Sequence, residues 1–260
     1  MTLAQRIHRA NAAVDCEKVM SRHVYYHAAG IHREEIEEFW SKRPDCTWAH
    51  NFGQMGNLEN YTQCYAEDQE QNTLALYEEL QTVYPEVTDK DKVPDHRALY
   101  EEAMHFYTST VIEVAEDGQS AKGLFYTPGC IFSTLNPQKA REGRWIYERY
   151  AADFILENGK WVYLNLKVCC DGAGEMDCGD WLANGFRPGP PPDAEGDGDN
   201  PPPPPPGSGH PIMYPGPLHY DLSPTQTPQH RPFIPVPYKT FAETYNYATL
   251  TGIYEENPVK

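Results

Sequence analysis

Apolar residues in the first thirty positions recur at three- and four-residue steps: Cys16, Met20, His23, Val24, His27 and Ile31. That spacing places one buried stripe on a helix and predicts a long helix over 3–29. A second helix, 32–42, is rich in Glu. A third is predicted from Asn57, a candidate cap after "GQMG", to about Tyr84, and "PDHRALYEEA" reads as a short fourth. The period then changes to two. "FYTSTVIEVAEDGQSAKGLFYTPG" predicts strand, turn and strand, with the turn at Glu116–Gly118. "GRWIYERYAADFILENGKWVYLNLKVCCD" predicts a longer hairpin turning at "ENGK", where Asn-Gly accommodates positive φ. Strict alternation in the last strand puts Val162, Leu164, Leu166 and Val168 on one apolar face, opposite Trp161, Tyr163, Asn165, Lys167 and Cys169. Helices first and antiparallel hairpins afterwards define an α+β protein, with helices packed on one face of a curved sheet.

Proline sets the domain limits. Of 24 prolines, 18 lie between Arg187 and Tyr238, including the run Pro201–Pro206. Proline removes a backbone donor and fixes φ, so this stretch is neither helix nor central strand. The globular domain is expected at 1–185. An extended Pro-rich tail is expected at 186–260, with polyproline II across the run. "DAEGDGDN" at 193–200 lacks the closing Glu of a calcium loop and reads as a solvated acidic linker. The density of His210, His219, His230, Tyr220 and Tyr238 suggests a strap reaching over the domain or to a neighbouring subunit.

Charge and cysteine usage narrow the function classes. The formal net charge is -17. Nucleic acid and anionic membrane surfaces, which attract basic faces, are not expected partners. No apolar run is long enough to span a bilayer, and residues 1–15 lack the apolar block of a secretory signal. Seven cysteines without a Cys-x-x-Cys pair suggest reduced thiols and a cytoplasmic location. Phosphate-loop, nucleophile-elbow and Cys/His triad patterns are missing, which disfavours nucleotide chemistry and serine hydrolysis.

Several segments together resemble the SnoaL-like branch of the nuclear transport factor 2 (cone) superfamily. They are "YYHAAGIHREEIEEFW", "WAHNFGQMGNLENY", "VIEVAEDGQSAKGLFYTPG" and the hairpin that begins "GRWIYERY", within roughly residues 5–180. The resemblance implies a cone-shaped α+β barrel around a deep, mostly apolar pocket. Its members include dehydratases, isomerases, cyclases and carbon–carbon lyases acting on aromatic compounds, many without a cofactor. Others bind partners and catalyse nothing.

Scytalone dehydratase-like members carry a catalytic histidine at the start of a sheet strand, and His105 in "MHFYTSTVIEV" matches that position. Tyr25, Tyr26 and His27 stand where a tyrosine and an aspartate occur in those members, but this chain has no aspartate there. It also lacks a second histidine in "LFYTPGCIF". A different acid/base set in the same pocket is therefore expected.

Imidazole exchanges protons near neutral pH, as elimination and enolisation require. The candidate catalytic residues are His105 as base, with His27, Tyr26 and His50 as acid or positioning groups. The candidate substrate-binding residues are Tyr25, Asn51, Tyr126, Tyr147, Arg149 and Lys167. Tyrosine hydroxyls can donate to an oxyanion, and the two cations can stabilise an anionic intermediate. His23 and His27, four apart on one helix, could share a metal. No zincin pattern accompanies them, so neither metal nor cofactor is expected.

The leading expectation is a cofactor-independent lyase acting on a small aromatic or phenolic compound, with lignin-derived compounds as one source. It would lose water, or lose formaldehyde by retro-aldol cleavage. The alternatives are a non-catalytic cone protein that binds a ligand or partner, and an isomerase or cyclase. A homodimer or homotrimer is expected from the resemblance.

Overall fold

The computed structural model describes residues 1–50, 53–54, 58–67, 81, 85, 101–133, 143–175 and 232–247. Helix α1 spans Leu3–Ala29 and α2 spans His32–Phe39. Strands β1 (Thr47–His50) and β2 (Gly53–Gln54) precede a short helix α3 (Leu58–Thr62), which continues into a π-turn, Gln63–Glu67. Six more strands follow: β3 (Glu101–His105), β4 (Thr108–Val114), β5 (Ser120–Tyr126), β6 (Gly129–Ser133), β7 (Gly143–Glu157) and β8 (Lys160–Glu175). No helix among the described residues is long and apolar enough to cross a membrane.

The start and end of α1 follow from local chemistry. Thr2 Oγ1 accepts from the Gln5 amide, and Gln5 Oε1 accepts from the Thr2 amide. This capping box satisfies two donors that the first turn leaves open. Gly30 ends the helix at φ 73, where a side chain would be strained. Ala12, Cys16, Val19, Met20, His23 and His27 form the buried stripe.

The strands form one curved sheet in the order β2-β1-β8-β7-β5-β4, with β6 beside β7 and β3 beside β6. Among the described residues the sheet does not close, so the observed form is an open curved sheet rather than a complete barrel. It is also not wholly antiparallel, because β1 runs parallel to β8 through the pair Trp48 and Leu166. The turn between β7 and β8 carries Asn158 and Gly159 at φ 50 and 78, as its Asn-Gly sequence predicts.

The helices cover one face of the sheet. Tyr150, Ala152 and Phe154 of β7 meet Cys16, Met20, Ile36 and Phe39 in the main core. Gly123 makes room there, since a Cβ at this position would collide with the Phe125 ring. The other face carries a different cover. The extended segment 232–247 lays Tyr245 and Tyr247 on Leu124 and Ala151, and Phe241 on Ile155, Val162 and Leu164. Residues 232–247 fall within the stretch 186–260 expected as a tail, and they pack on the sheet. Residues 186–231, with His210, His219, Tyr220 and His230, lie outside the described residues.

Three further expectations change. The face assignment along β8 breaks at a bulge, because Asp153 pairs with Asn165 while Phe154 pairs with Tyr163. The extra residue, Leu164, shifts the alternation by one. Trp161, Tyr163, Leu166 and Val168 therefore join the main core, while Val162 and Leu164 turn to the other face. The short fourth helix is corrected at its end, where Glu101–Ala103 lie in β3, paired to β6. The second helix stops at Phe39 rather than 42, and Trp40 bridges to Tyr163 instead. Of the third helix, only 58–67 and isolated positions fall among the described residues.

Candidate active site

Four histidines from three elements meet between the helices and the sheet. Helix α1 contributes His23 and His27, α2 contributes His32, and β3 contributes His105; all four are buried. Ring centroids lie 5.7 Å apart for His23 and His27, 5.2 Å for His27 and His32, and 5.1 Å for His27 and His105.

Each element is placed by its own pattern. His23 and His27 are one helical turn apart on the buried stripe of α1. His32, Glu35, Ile36 and Phe39 follow the i, i+3, i+4, i+7 pattern and form the buried side of α2. His105 ends β3 opposite Gly129 of β6. A Cβ on Gly129 would strike the Met104 carbonyl oxygen and lie 3.2 Å from the His105 Cα, so glycine permits this close strand approach.

Two carboxylates hold this cluster from opposite sides. Glu35 is fully buried; its Oε1 lies 2.7 Å from His23 Nδ1 and accepts from the Trp40 indole at 3.2 Å. Its Oε2 lies 3.7 Å from His32 Nδ1. Burial alone would raise the Glu35 carboxyl. The His23 charge and hydrogen bond, helped by His32, overcome that and hold it at about 2. On the sheet side, Glu148 Oε2 lies 3.4 Å from His105 Nδ1.

Tyrosines complete the site. The Tyr65 hydroxyl is hydrogen-bonded to His27 Nδ1, and the Tyr65 ring stacks on the His27 ring. Tyr150 hydrogen-bonds to Glu148; burial first, and then the Glu148 charge, raise its pKa well above the ordinary range. Burial does the same to Tyr61 and Tyr163. These phenols stay protonated near neutrality and can donate hydrogen bonds. Among the described residues, no three His, Cys, Asp or Glu side chains are grouped to hold a metal ion.

The structure brings together two of the sequence candidates, His27 and His105. Tyr25 is 76% exposed on the opposite side of α1. Tyr26 turns to α2, where its hydroxyl donates to exposed Glu38 at 2.8 Å and its ring meets Phe39. His50 ends β1 beside Gly53, and Asn51 lies outside the described residues.

Arg149 and Lys167 sit on the sheet face away from the helices. Lys167 pairs with Ala151, which packs under Tyr245 and Tyr247, and Arg149 alternates with core residue Tyr150. Tyr126 pairs with Arg149, and Tyr147 precedes it by two residues, so both share that outer face. The Tyr238 hydroxyl contacts Ser120 Oγ at 3.1 Å on the outer face as well. The outer face also holds Lys122, which is ion-paired to Asp153 and enclosed by the rings of Phe241, Tyr245 and Tyr247 at 5.3, 4.4 and 4.5 Å. Burial lowers the Lys122 pKa, against the pull of Asp153.

Sequence reasoning missed Glu35, His32, Tyr65, Glu148 and Tyr150. The first two were visible as the i, i+3 start of an amphipathic pattern in a helix read only as Glu-rich. Glu148 and Tyr150 alternate with the residues chosen from β7, so picking the other strand face would have found them. Tyr65 carries no comparable signal, because a π-turn aims it.

Fold and site together define an α+β protein with a buried histidine–carboxylate–tyrosine cluster between its helices and a curved open sheet. The sequence matches no family profile and no curated protein. Solved structures resemble it at low identity. A hexachlorocyclohexane dehydrochlorinase, LinA type 2, is 14% identical over 67% of this chain and 94% of that one, with a TM-score of 0.43. A candidate scytalone dehydratase from Novosphingobium aromaticivorans is 11% identical over 68% and 93%, with a TM-score of 0.43. An NTF2-like protein with a cystatin-like fold, from the same organism, is 14% identical over 65% and 87%, with a TM-score of 0.39.

Proposed function

We propose that the protein is a cofactor-independent lyase acting on a small aromatic or phenolic compound by acid/base elimination. The observation that carries this reading is the contact of His27 with His105, each on a different polar partner. Glu148, facing His105 Nδ1, favours the tautomer protonated on that nitrogen. His105 Nε2 is then a base. The Tyr65 hydroxyl, donating to His27 Nδ1, favours the opposite tautomer, and His27 Nε2–H is then an acid. Adjacent groups with opposite assignments suit a reaction that removes one proton and delivers another.

In the dehydration form, His105 Nε2 takes a proton from carbon, the new double bond forms, and the hydroxyl leaves as water with the His27 proton. In the formaldehyde-releasing form, His105 takes the proton of a primary carbinol. The adjacent carbon–carbon bond breaks, and His27 protonates the remaining carbon. Tyrosine rings around the site favour an aromatic substrate through stacking and hydroxyl contacts.

Full-length protein incubated with a panel of phenolic and lignin-type compounds, followed by mass spectrometry, tests the reading. A compound that loses the mass of water or formaldehyde supports it. A ligand that stabilises the protein and is recovered unchanged in mass and structure supports the binding-protein alternative instead. The depth at which Glu35, His23 and Trp40 are locked together favours that alternative, since such a lock also serves pure packing.

A further inference from the structure

His23 is anchored through one ring nitrogen, and the other makes no hydrogen bond among the described residues. The anchored nitrogen, Nδ1, lies 2.7 Å from Glu35 Oε1, which also accepts from the Trp40 indole. Glu35 is ionised, with its carboxyl held at about 2, and a carboxylate only accepts hydrogen bonds. The proton of the imidazole therefore sits on Nδ1. Nε2 lies across the ring, on the side away from α2.

The two hydroxyls whose rings come near His23 are committed elsewhere. The Tyr150 ring lies 5.7 Å away, and its hydroxyl is bonded to Glu148. The Tyr163 ring lies 5.9 Å away, and its hydroxyl donates to Met20 Sδ at 3.5 Å. The His23 side chain is only 4% exposed. A polar atom buried to this degree is normally paired, so Nε2 is set up to meet a group that the chain does not supply.

The surroundings define that group. The His23 ring stacks on His27 with 19° between their planes, and the Tyr150 and Tyr163 rings stand at 58° and 81° to it. Such walls suit a flat aromatic ligand. The titratable groups facing His23 are Glu35 from α2, His27 from its own helix, and the two phenols from β7 and β8. A proton that crosses to Nε2 makes an imidazolium already paired with the Glu35 carboxylate. A phenol, unlike an aliphatic alcohol, is acidic enough to share its proton with an imidazole.

We propose that His23 Nε2, backed by Glu35, binds the hydroxyl of a phenolic ligand and takes its proton. The O–H bond breaks, its electron pair stays on the oxygen, and the phenolate remains hydrogen-bonded to the imidazolium. The assignment rests on the reading of this site as one for aromatic compounds, and it narrows that class to phenols with a free hydroxyl.

Absorbance titration of the full-length protein with p-nitrophenol tests it, because phenol and phenolate absorb at different wavelengths and no turnover is needed. At about one unit below the pKa of the free probe, the bound probe should show the phenolate band. The methyl ether, p-nitroanisole, should bind about tenfold or more weakly, since it has no hydroxyl to donate. His23→Asn leaves Glu35 an amide N–H in place of Nδ1 and removes Nε2. That variant should lose the phenolate band and bind the two probes alike. Equal affinity of the wild type for both probes, or no binding of p-nitrophenol, would overturn the assignment whatever the variant does. A phenolate band that survives in folded His23→Asn would give the proton to another base and overturn it too. Failure of the lyase reading alone looks different: p-nitrophenol is ionised through His23, yet no phenolic compound loses water or formaldehyde.

Discussion

The His27 and His105 rings stand 5.1 Å apart, one presented by the first helix and the other by the last residue of β3. Neither position is dictated by local structure. The contact exists because α1 packs across the sheet and because β3 can approach β6 closely at Gly129.

Gly129→Ala should break that approach. The new methyl collides with the Met104 carbonyl, so β3 must retreat and carry His105 with it. Overpacking of this kind costs about 1–3 kcal/mol. Urea denaturation should show the loss of stability, and proton-transfer activity should fall further than stability alone explains. A variant with unchanged stability and turnover would show that the close approach is dispensable.

Glu35→Gln should destabilise the helical side by about 3–5 kcal/mol, the range for removing one partner of a buried charge pair. The acid limb of the stability curve gives a second reading. The folded carboxyl, at about 2, lies below its unfolded value of ~4.3. Its contribution is full above the unfolded value and is lost as pH falls from there toward about 2. Denaturant midpoints measured through that range should drop in the wild type and flatten in Glu35→Gln.

Asp153→Ala should cost about 3–5 kcal/mol, because it leaves Lys122 buried without its carboxylate and removes the acceptor of the Tyr247 amide at 2.9 Å. Lys122→Met combined with Asp153→Leu should recover most of that loss, since neither charge then stays buried alone. Guanidinium unfolding of the single and double variants checks both statements. A double variant as weak as the single one would mean that the ion pair, and not packing under the tyrosine cage, holds the 232–247 segment.

Much of the frame was legible in the sequence. The period of α1, the Asn-Gly turn and the long β7–β8 hairpin all follow from local patterning, and so does the order of α1 and α2 before the hairpins. The histidine pair was also within reach, since His27 lies on the buried stripe and His105 on a strand. The partners were not. The bulge at Leu164 inverts the faces of β8, and strict alternation cannot foresee an inserted residue. Arg149 and Lys167 were chosen as charged residues on a strand face, yet which face meets the helices is decided by packing over the whole sheet. Glu35 and Glu148 were passed over because acidic residues are usually solvated, and only tertiary contacts to His23, His32 and His105 explain their burial.

We propose that His105, facing Glu148 and beside His27, is the base of an elimination. The most direct test is a turnover measurement on the best compound from the mass-spectrometric panel, comparing wild type with His105→Ala of verified fold. A fall of about 10²–10⁴-fold is expected, the usual contribution of a positioned general base. An unchanged rate in His105→Ala would contradict it.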